Sequence, residues 1–245
     1  MLQNDRPIRF VYFDLDDTLV DTTGAVLNAY AAGEEILAAE MARAGYAAPD
    51  GDVREELIAN FGSRLPCEYF TAWLAEAGAE NGFADDLVLR ATAVYYRQLK
   101  NLPPYPEARA VLEFLQERGL GVGVITDGIA VEQRAKLAAA GLQPFVGPVF
   151  ISEDYPLFQS KPGQMMFEDA LAAAGFTAAE TMFVGDRPKD VLGANIAGMV
   201  AVRILQGWVN RRAGRERLRL ARARYTIRTL DELPPLILKH GAATP

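Results

Sequence analysis

Cysteine and histidine are scarce in this chain, and positive charge is outnumbered by negative. A single cysteine, Cys67, stands among 245 residues, so no intramolecular disulfide can form and a reducing compartment suits the protein. Cys67 itself reads as a packing residue. The only histidine, His240, falls close to the C-terminal end and is expected to be exposed. Lysine and arginine number 25 against 32 aspartates and glutamates, a formal charge of −7. The long-range field of such a chain repels polyanions, which argues against a general binder of nucleic acid or anionic membrane, though not against a small anion in a local cationic pocket. No apolar run approaches bilayer length, and Met1 to Arg9 lack an apolar targeting core. The expectation is a cytoplasmic protein with no membrane partner, a monomer or homodimer. With 50% of residues hydrophobic and 23% charged, the composition is that of an ordinary globular protein and argues against disorder.

What is present is organised around Phe10-Val11-Tyr12-Phe13-Asp14-Leu15-Asp16-Asp17-Thr18. A strand-type run of aromatic and β-branched residues ends on a carboxylate, with two more carboxylates and a threonine close behind. Carboxylates gathered at a buried strand end repel one another, so holding them there calls for a cation or a chemical task. From Thr22 to Lys100 the character changes to Ala-, Glu- and Leu-rich helical stretches without a convincing strand, separated by glycine-bearing turns around Gly45 to Gly51, Gly62 and Gly78 to Gly82. This reads as a block of four or five helices inserted into a β-α alternation. Pro103, Pro104 and Pro106 close it, because prolines so near together cannot continue a helix.

Beyond the prolines, strands and helices alternate. Expected strands are Ile8 to Phe13, Leu120 to Thr126, Val149 to Ser152, Thr181 to Asp186, Val200 to Ile204 and an edge strand Tyr225 to Ile227. Expected helices are Glu107 to Arg118, with Ala108, Val111, Leu112 and Leu115 on one face, then Ala130 to Ala140, a helix carrying Phe167, Ala170, Leu171 and Ala174, and Val191 to Ala197. The fold class is α/β: a Rossmann-like parallel sheet with helices on both faces, plus an inserted all-helical cap. The domains are 1–21 and 102–245 for the core and 22–101 for the cap, whose crossings near Asp21 and Leu102 are plausible hinges.

Asp14, Thr126 and Asp186 each end a predicted strand, and in a parallel sheet such ends share one edge, where ligands of open α/β sheets bind. Asp14, Asp16, Asp186 and Asp190 therefore converge on one acidic site. Four carboxylates with no nearby His or Cys favour a hard cation with oxygen ligands, Mg²⁺ above Zn²⁺. Thr126 adds a hydroxyl and Gly128 a flexible backbone, so this turn can present N–H donors to an anion. Lys161, stiffened by Pro162, supplies a charge that can offset the carboxylates and bind phosphate.

Taken in order, Asp14-Leu15-Asp16-Asp17-Thr18, Thr126-Asp127-Gly128, Lys161-Pro162 and Gly185-Asp186-Arg187-Pro188-Lys189-Asp190 resemble the four signature motifs of the haloacid dehalogenase superfamily of hydrolases. The helical block between the first two resembles the cap of the subfamily that includes phosphoglycolate phosphatase and β-phosphoglucomutase. The resemblance implies that Asp14 is a nucleophile forming an aspartyl-phosphate and that Asp16 is the general acid and base. It implies phosphate binding by Thr126, Asp127, Gly128 and Lys161, and Mg²⁺ held by Asp14, the Asp16 carbonyl, Asp186 and Asp190. Two departures stand out. Asp127 occupies a position where relatives often carry Asn, so its side chain is expected to turn from the phosphate, and Gly163 follows Pro162 where a second proline is common.

An acid at position 16 separates phosphate chemistry from carbon–halogen cleavage, since an alkoxide leaving group needs a proton and a halide does not. The implied function is a Mg²⁺-dependent phosphatase acting on a small phosphorylated metabolite. The alternatives are a phosphomutase using the same residues, a phospho-accepting signalling module, which would need about half this length, and a non-catalytic binding protein. The cap is expected to contact the part of a substrate away from phosphate, one sequence does not place its polar groups such as Arg64, Tyr69, Tyr95 and Tyr96, and Arg211 to Arg224 form either a solvated face or a docking patch.

Overall fold

The computed structural model describes residues 6–49, 65–79, 85–100, 102–157, 159–207 and 221–240. Gly51, Gly62, Arg64 and residues 211–220 of the arginine-rich stretch lie outside them. Among the described residues the strands are β1 (Phe10–Phe13), β2 (Gly121–Thr126), β3 (Val149–Ile151), β4 (Thr181–Gly185), β5 (Val200–Ile204) and β6 (Tyr225–Ile227). The helices are α1 (Thr22–Arg43), α2 (Pro66–Glu76), α3 (Asp85–Gln98), α4 (Ala108–Glu117), α5 (Ala130–Ala139), α6 (Met165–Ala174), α7 (Pro188–Ile196) and α8 (Leu233–Lys239). None of them is long and apolar enough to cross a membrane.

All six strands are parallel, in the order β3-β2-β1-β4-β5-β6. The chain lays β2 and β3 to one side of β1 and returns to place β4 on the other. The strand order therefore reverses between β1 and β4, the switch point where parallel sheets open a crevice at their carboxyl ends. Phe13 is in register with Val124 on one side and Val184 on the other, which brings Asp14, Thr126 and Asp186 to the same rim.

Local packing explains the sequence of β2. Phe10 and Tyr12 of β1 stack on one face, ring centroids 4.5 Å apart, and their rings lie over β2. A Cβ at Gly121 would sit 2.2 Å from the Phe10 ring and one at Gly123 2.4 Å from that of Tyr12, so both positions are left without side chains. Met166, Phe167 and Ala170 of α6 and Val191 and Ala194 of α7 complete that face with Ile125, Phe183 and Ala201. Buried Tyr12 satisfies its hydroxyl by donating to the Ala170 carbonyl at 2.7 Å. On α4 the inward stripe is Ala108, Val111, Leu112 and Leu115, and the helix lies against β2 and α8.

The chain divides into two compact units, one of residues 1–21 and 103–245 and the other Thr22–Leu102. Among its described residues the second unit is helical, without a strand, and has its own core. Val26, Tyr30, Leu37 and Met41 recur along one side of α1, where Gly33 leaves room for the Phe70 ring, which a Cβ would meet at 2.2 Å. Tyr69 and Tyr95 belong to this core, each 7% exposed, and the Tyr69 hydroxyl donates to Glu34. Both residues are therefore packing groups of the helical unit rather than open contact groups, while Tyr96 is exposed.

His240 also departs from expectation. It is 4% exposed, because the end of α8 returns to edge strand β6, where its ring meets Tyr225 edge-on at 5.0 Å and its Nε2 contacts the Tyr225 hydroxyl. The helix α7 begins at Pro188, three residues earlier than the apolar pattern predicts. Proline suits a first helical turn, and Asp190 reaches back to accept the Arg187 N–H at 2.8 Å.

Candidate active site

The loop after β1 is shaped by its own backbone. Leu19 and Val20 both donate to the Leu15 carbonyl at 3.0 Å, the Asp17 N–H donates to Val20 O at 2.7 Å, and Asp17 takes φ 59°, a left-handed turn that Asp tolerates better than most residues. Asp14 stays attached to the sheet, its N–H donating to Val184 O at 2.9 Å.

Lys161 is the hub of the site. It is 4% exposed, donates from Nζ to Asp14 Oδ1 at 2.7 Å and to the Ile125 carbonyl at 3.3 Å, and lies 2.7 Å from Asp190 Oδ1. The approach to Asp190 is a charge contact, not an aligned hydrogen bond, so that buried oxygen retains acceptor capacity. Burial works against the lysine's charge, but Asp14, Asp190 and Asp127 outweigh it and hold the ammonium well above its ordinary range.

Asp14, Asp186 and Asp190 are buried and offer oxygens that all lie within 4.8 Å of one another. Burial, reinforced by Asp190 and opposed by Lys161, pushes Asp14 up to about 7, and burial with the charges of Asp14 and Asp190 pushes Asp186 up to about 8. Three carboxylates facing one buried ammonium are short of positive charge. An all-oxygen donor set with an underused Asp190 oxygen fits a hard divalent cation. Arg187 lies 4.0 Å from Asp186 with its side chain 41% exposed, so it offsets the cluster only from the rim.

The second motif is held by the fourth. Asp127 Oδ1 accepts the Lys161 N–H at 2.9 Å and Oδ2 pairs with Lys189 Nζ at 2.6 Å. Its carboxylate is thus engaged by one cation and one amide, which accommodates an acid at this position of the turn. The amides of the turn are not all available. Gly128, with φ 137°, donates to Ser152 Oγ at 3.0 Å, and Ala130 donates to Glu153 Oε2 at 2.6 Å, so the Gly128 contribution is conformational in this structure.

Asp16 stands apart from the acidic cluster and meets groups that the motifs do not contain. Lys136 Nζ lies 2.8 and 3.1 Å from its two oxygens, and Gln133 Nε2 donates to Oδ2 at 2.8 Å. The sequence carried a faint sign of this, for Gln133 is a polar residue on the buried stripe of α5 that includes Ala130 and Leu137. Lys189 and Arg187 lie inside a recognised motif, yet nothing in one sequence pairs them with Asp127 and Asp186.

Residues 8–198 match the family described as haloacid dehalogenase-like hydrolase. A glyceraldehyde 3-phosphate phosphatase of Methanopyrus kandleri is 35% identical over 211 residues, covering 82% of this chain and 85% of its own. A phosphoglycolate phosphatase of Caulobacter vibrioides is 32% identical, covering 81% and 79%. Among solved structures, a phosphatase of this superfamily from Thermococcus onnurineus superposes with a TM-score of 0.59 at 25% identity, over 97% of this chain and 100% of its own. With its motifs gathered at the switch point of a parallel sheet and a helical unit inserted between the first two, the chain belongs to the haloacid dehalogenase-like hydrolase family.

Proposed function

We propose that the protein is a Mg²⁺-dependent phosphatase that hydrolyses a small phosphorylated metabolite through an aspartyl-phosphate on Asp14. The observation that carries the reading is the pairing of a buried Asp14, held by Lys161 at 2.7 Å, with a second carboxylate two residues on that is kept out of the acidic cluster. On this reading Asp14 takes the phosphoryl group and Asp16, held by Lys136 and Gln133, transfers the protons.

Mg²⁺ held by Asp14, Asp186, Asp190 and the Asp16 carbonyl would offset the charge of the phosphoryl oxygens. The chain's own groups do the rest. Lys161 neutralises the approach of a phosphate dianion to Asp14, and the Thr126 hydroxyl, with the turn of Asp127 and Gly128 behind it, orients the transferring group. Asp14 attacks phosphorus, the ester oxygen departs with a proton from Asp16, and Asp16 then takes a proton from the water that hydrolyses the acyl phosphate. The relatives named for glyceraldehyde 3-phosphate and phosphoglycolate support a substrate of a few carbons, and a screen of such esters is the route to its identity. We also assign the protein to the cytoplasm.

Rapid mixing with 4-nitrophenyl phosphate tests the roles. Nitrophenolate leaves without a proton, so Asp16→Asn should release a burst of about one equivalent and then turn over roughly 10²–10⁴-fold more slowly than the native enzyme. Asp14→Asn should show no burst. A burst in the Asp14 variant, or phosphate trapped on another residue, overturns the assignment. Multiple turnovers releasing inorganic phosphate separate hydrolysis from phosphoryl transfer between sugars and from idle binding.

A further inference from the structure

The Asp16 carboxylate lies over α5, the helix that begins directly behind the Thr126-Asp127-Gly128 turn. Lys136 grips both of its oxygens, at 2.8 and 3.1 Å, from a partly buried position in which the two side chains are 22% and 23% exposed. Gln133, one helical turn earlier, is 2% exposed and has no apolar role to fill. Its amide nitrogen is 2.8 Å from Asp16 Oδ2, 2.7 Å from Thr126 Oγ1 and 2.8 Å from the Asp127 carbonyl. An amide has two hydrogens, so three acceptors compete for it. Any departure of one strengthens the hold on the other two. A Thr126 hydroxyl that accepts from Gln133 still has its own hydrogen to give, here in a long 3.5 Å contact to the Asp127 carbonyl that a phosphoryl oxygen could replace.

The arrangement puts Asp16 two hydrogen bonds from the hydroxyl expected to hold the phosphoryl group. A free aspartate samples several χ1 wells, and a proton-transfer group misplaced by about 1 Å can cost about 10²-fold in rate. We infer that Lys136 and Gln133 are positioning residues, which together hold the Asp16 carboxylate beside Thr126 in the orientation needed for proton transfer. The inference rests on the acid–base reading of Asp16.

The test is pre-steady-state turnover of 4-nitrophenyl phosphate by the Mg²⁺-loaded full chain. Lys136→Met should leave the phosphorylation burst at its native rate and slow the following turnover by about 10- to 100-fold, whereas Gln133→Leu, which also releases the Thr126 hydroxyl, should slow the burst and the following turnover alike. Lys136→Arg, which keeps the cation, should recover most of that loss. In an Asp16→Asn background, Lys136→Met should change turnover by less than about 2-fold, because the group it positions is gone. A salt bridge that only fastened α5 to the loop would change thermal stability and give losses that multiply with Asp16→Asn, and that outcome overturns the inference. So does full turnover in both single variants when Asp16→Asn alone is slow. Unchanged turnover in Asp16→Asn overturns the acid–base reading and the inference with it. Lys136→Gln replaces Lys136→Met if the latter does not fold.

Discussion

Without metal, the acidic cluster should prefer protons, and removing metal while varying pH exposes this directly. Asp14 at about 7 and Asp186 at about 8 both lie above the ordinary carboxylate value, raised first by burial. The folded state therefore binds more protons than the unfolded chain between about pH 4 and pH 8, and stability must fall as pH rises through that window. The two groups share one cluster, so a single shared proton is the cautious count, with a slope of about 1.4 kcal/mol per pH unit. From about pH 5 to about pH 7 the loss is about 3 kcal/mol, or about 6–12 °C in Tm for a unit of this size. Lys161 adds no slope here, because it is protonated both folded, where its pKa is raised, and unfolded. Glu40 and Glu180 are lowered by hydrogen bonds from Arg43 and Thr177, so their contribution has the opposite sign and is confined to the ordinary carboxylate range and below. Scanning calorimetry of chelator-treated protein across that range, with Asp186→Asn as the reference, isolates the cluster. Mg²⁺ should restore stability most at the alkaline end and expel protons, measurable by titration calorimetry in buffers of different ionisation enthalpy. A metal-free protein that gains stability from about pH 5 to about pH 7, or one whose pH slope is unchanged by Asp186→Asn, would refute the reasoning.

Phosphatase activity should vanish with a chelator and return with Mg²⁺, and Asp186→Ala should raise the Mg²⁺ concentration needed for half-maximal rate; full activity after thorough metal removal would sink the metal reading. Gly123→Ala drives a Cβ to within 2.4 Å of the Tyr12 ring and 2.8 Å of the Pro148 carbonyl, where backbone cannot yield easily. It should cost about 1–3 kcal/mol by denaturant unfolding, and a neutral result would show that β1 and β2 are less tightly packed than described.

Much of the core was legible because its signals are local. A run such as Val122 to Thr126 is apolar and β-branched, prolines bar a helix after Leu102, and a glycine closes each of several helices, so strand and helix identity follows from residues close in the chain. The rim of Asp14, Thr126 and Asp186 was legible for a related reason: parallel strands share a direction, and a residue at a strand's carboxyl end needs no tertiary information to be placed there. The fold decided what depends on partners far apart in sequence. The acid at Asp127 is accommodated because Lys189 arrives from α7, 62 residues away. Tyr69 and Tyr95 could have faced a ligand, but α1 carries Val26, Tyr30 and Leu37 along one side, and the aromatic rings go where apolar surface can be covered. His240 looked like tail until α8 brought it to Tyr225. Asp16 shows the division most clearly. The family resemblance singles it out, but its hydrogen-bond partners, Gln133 and Lys136, come from 117 and 120 residues away. Hydrogen bonds are short-ranged and directional, so the groups that make them are known only when the chain has brought them within about 3 Å.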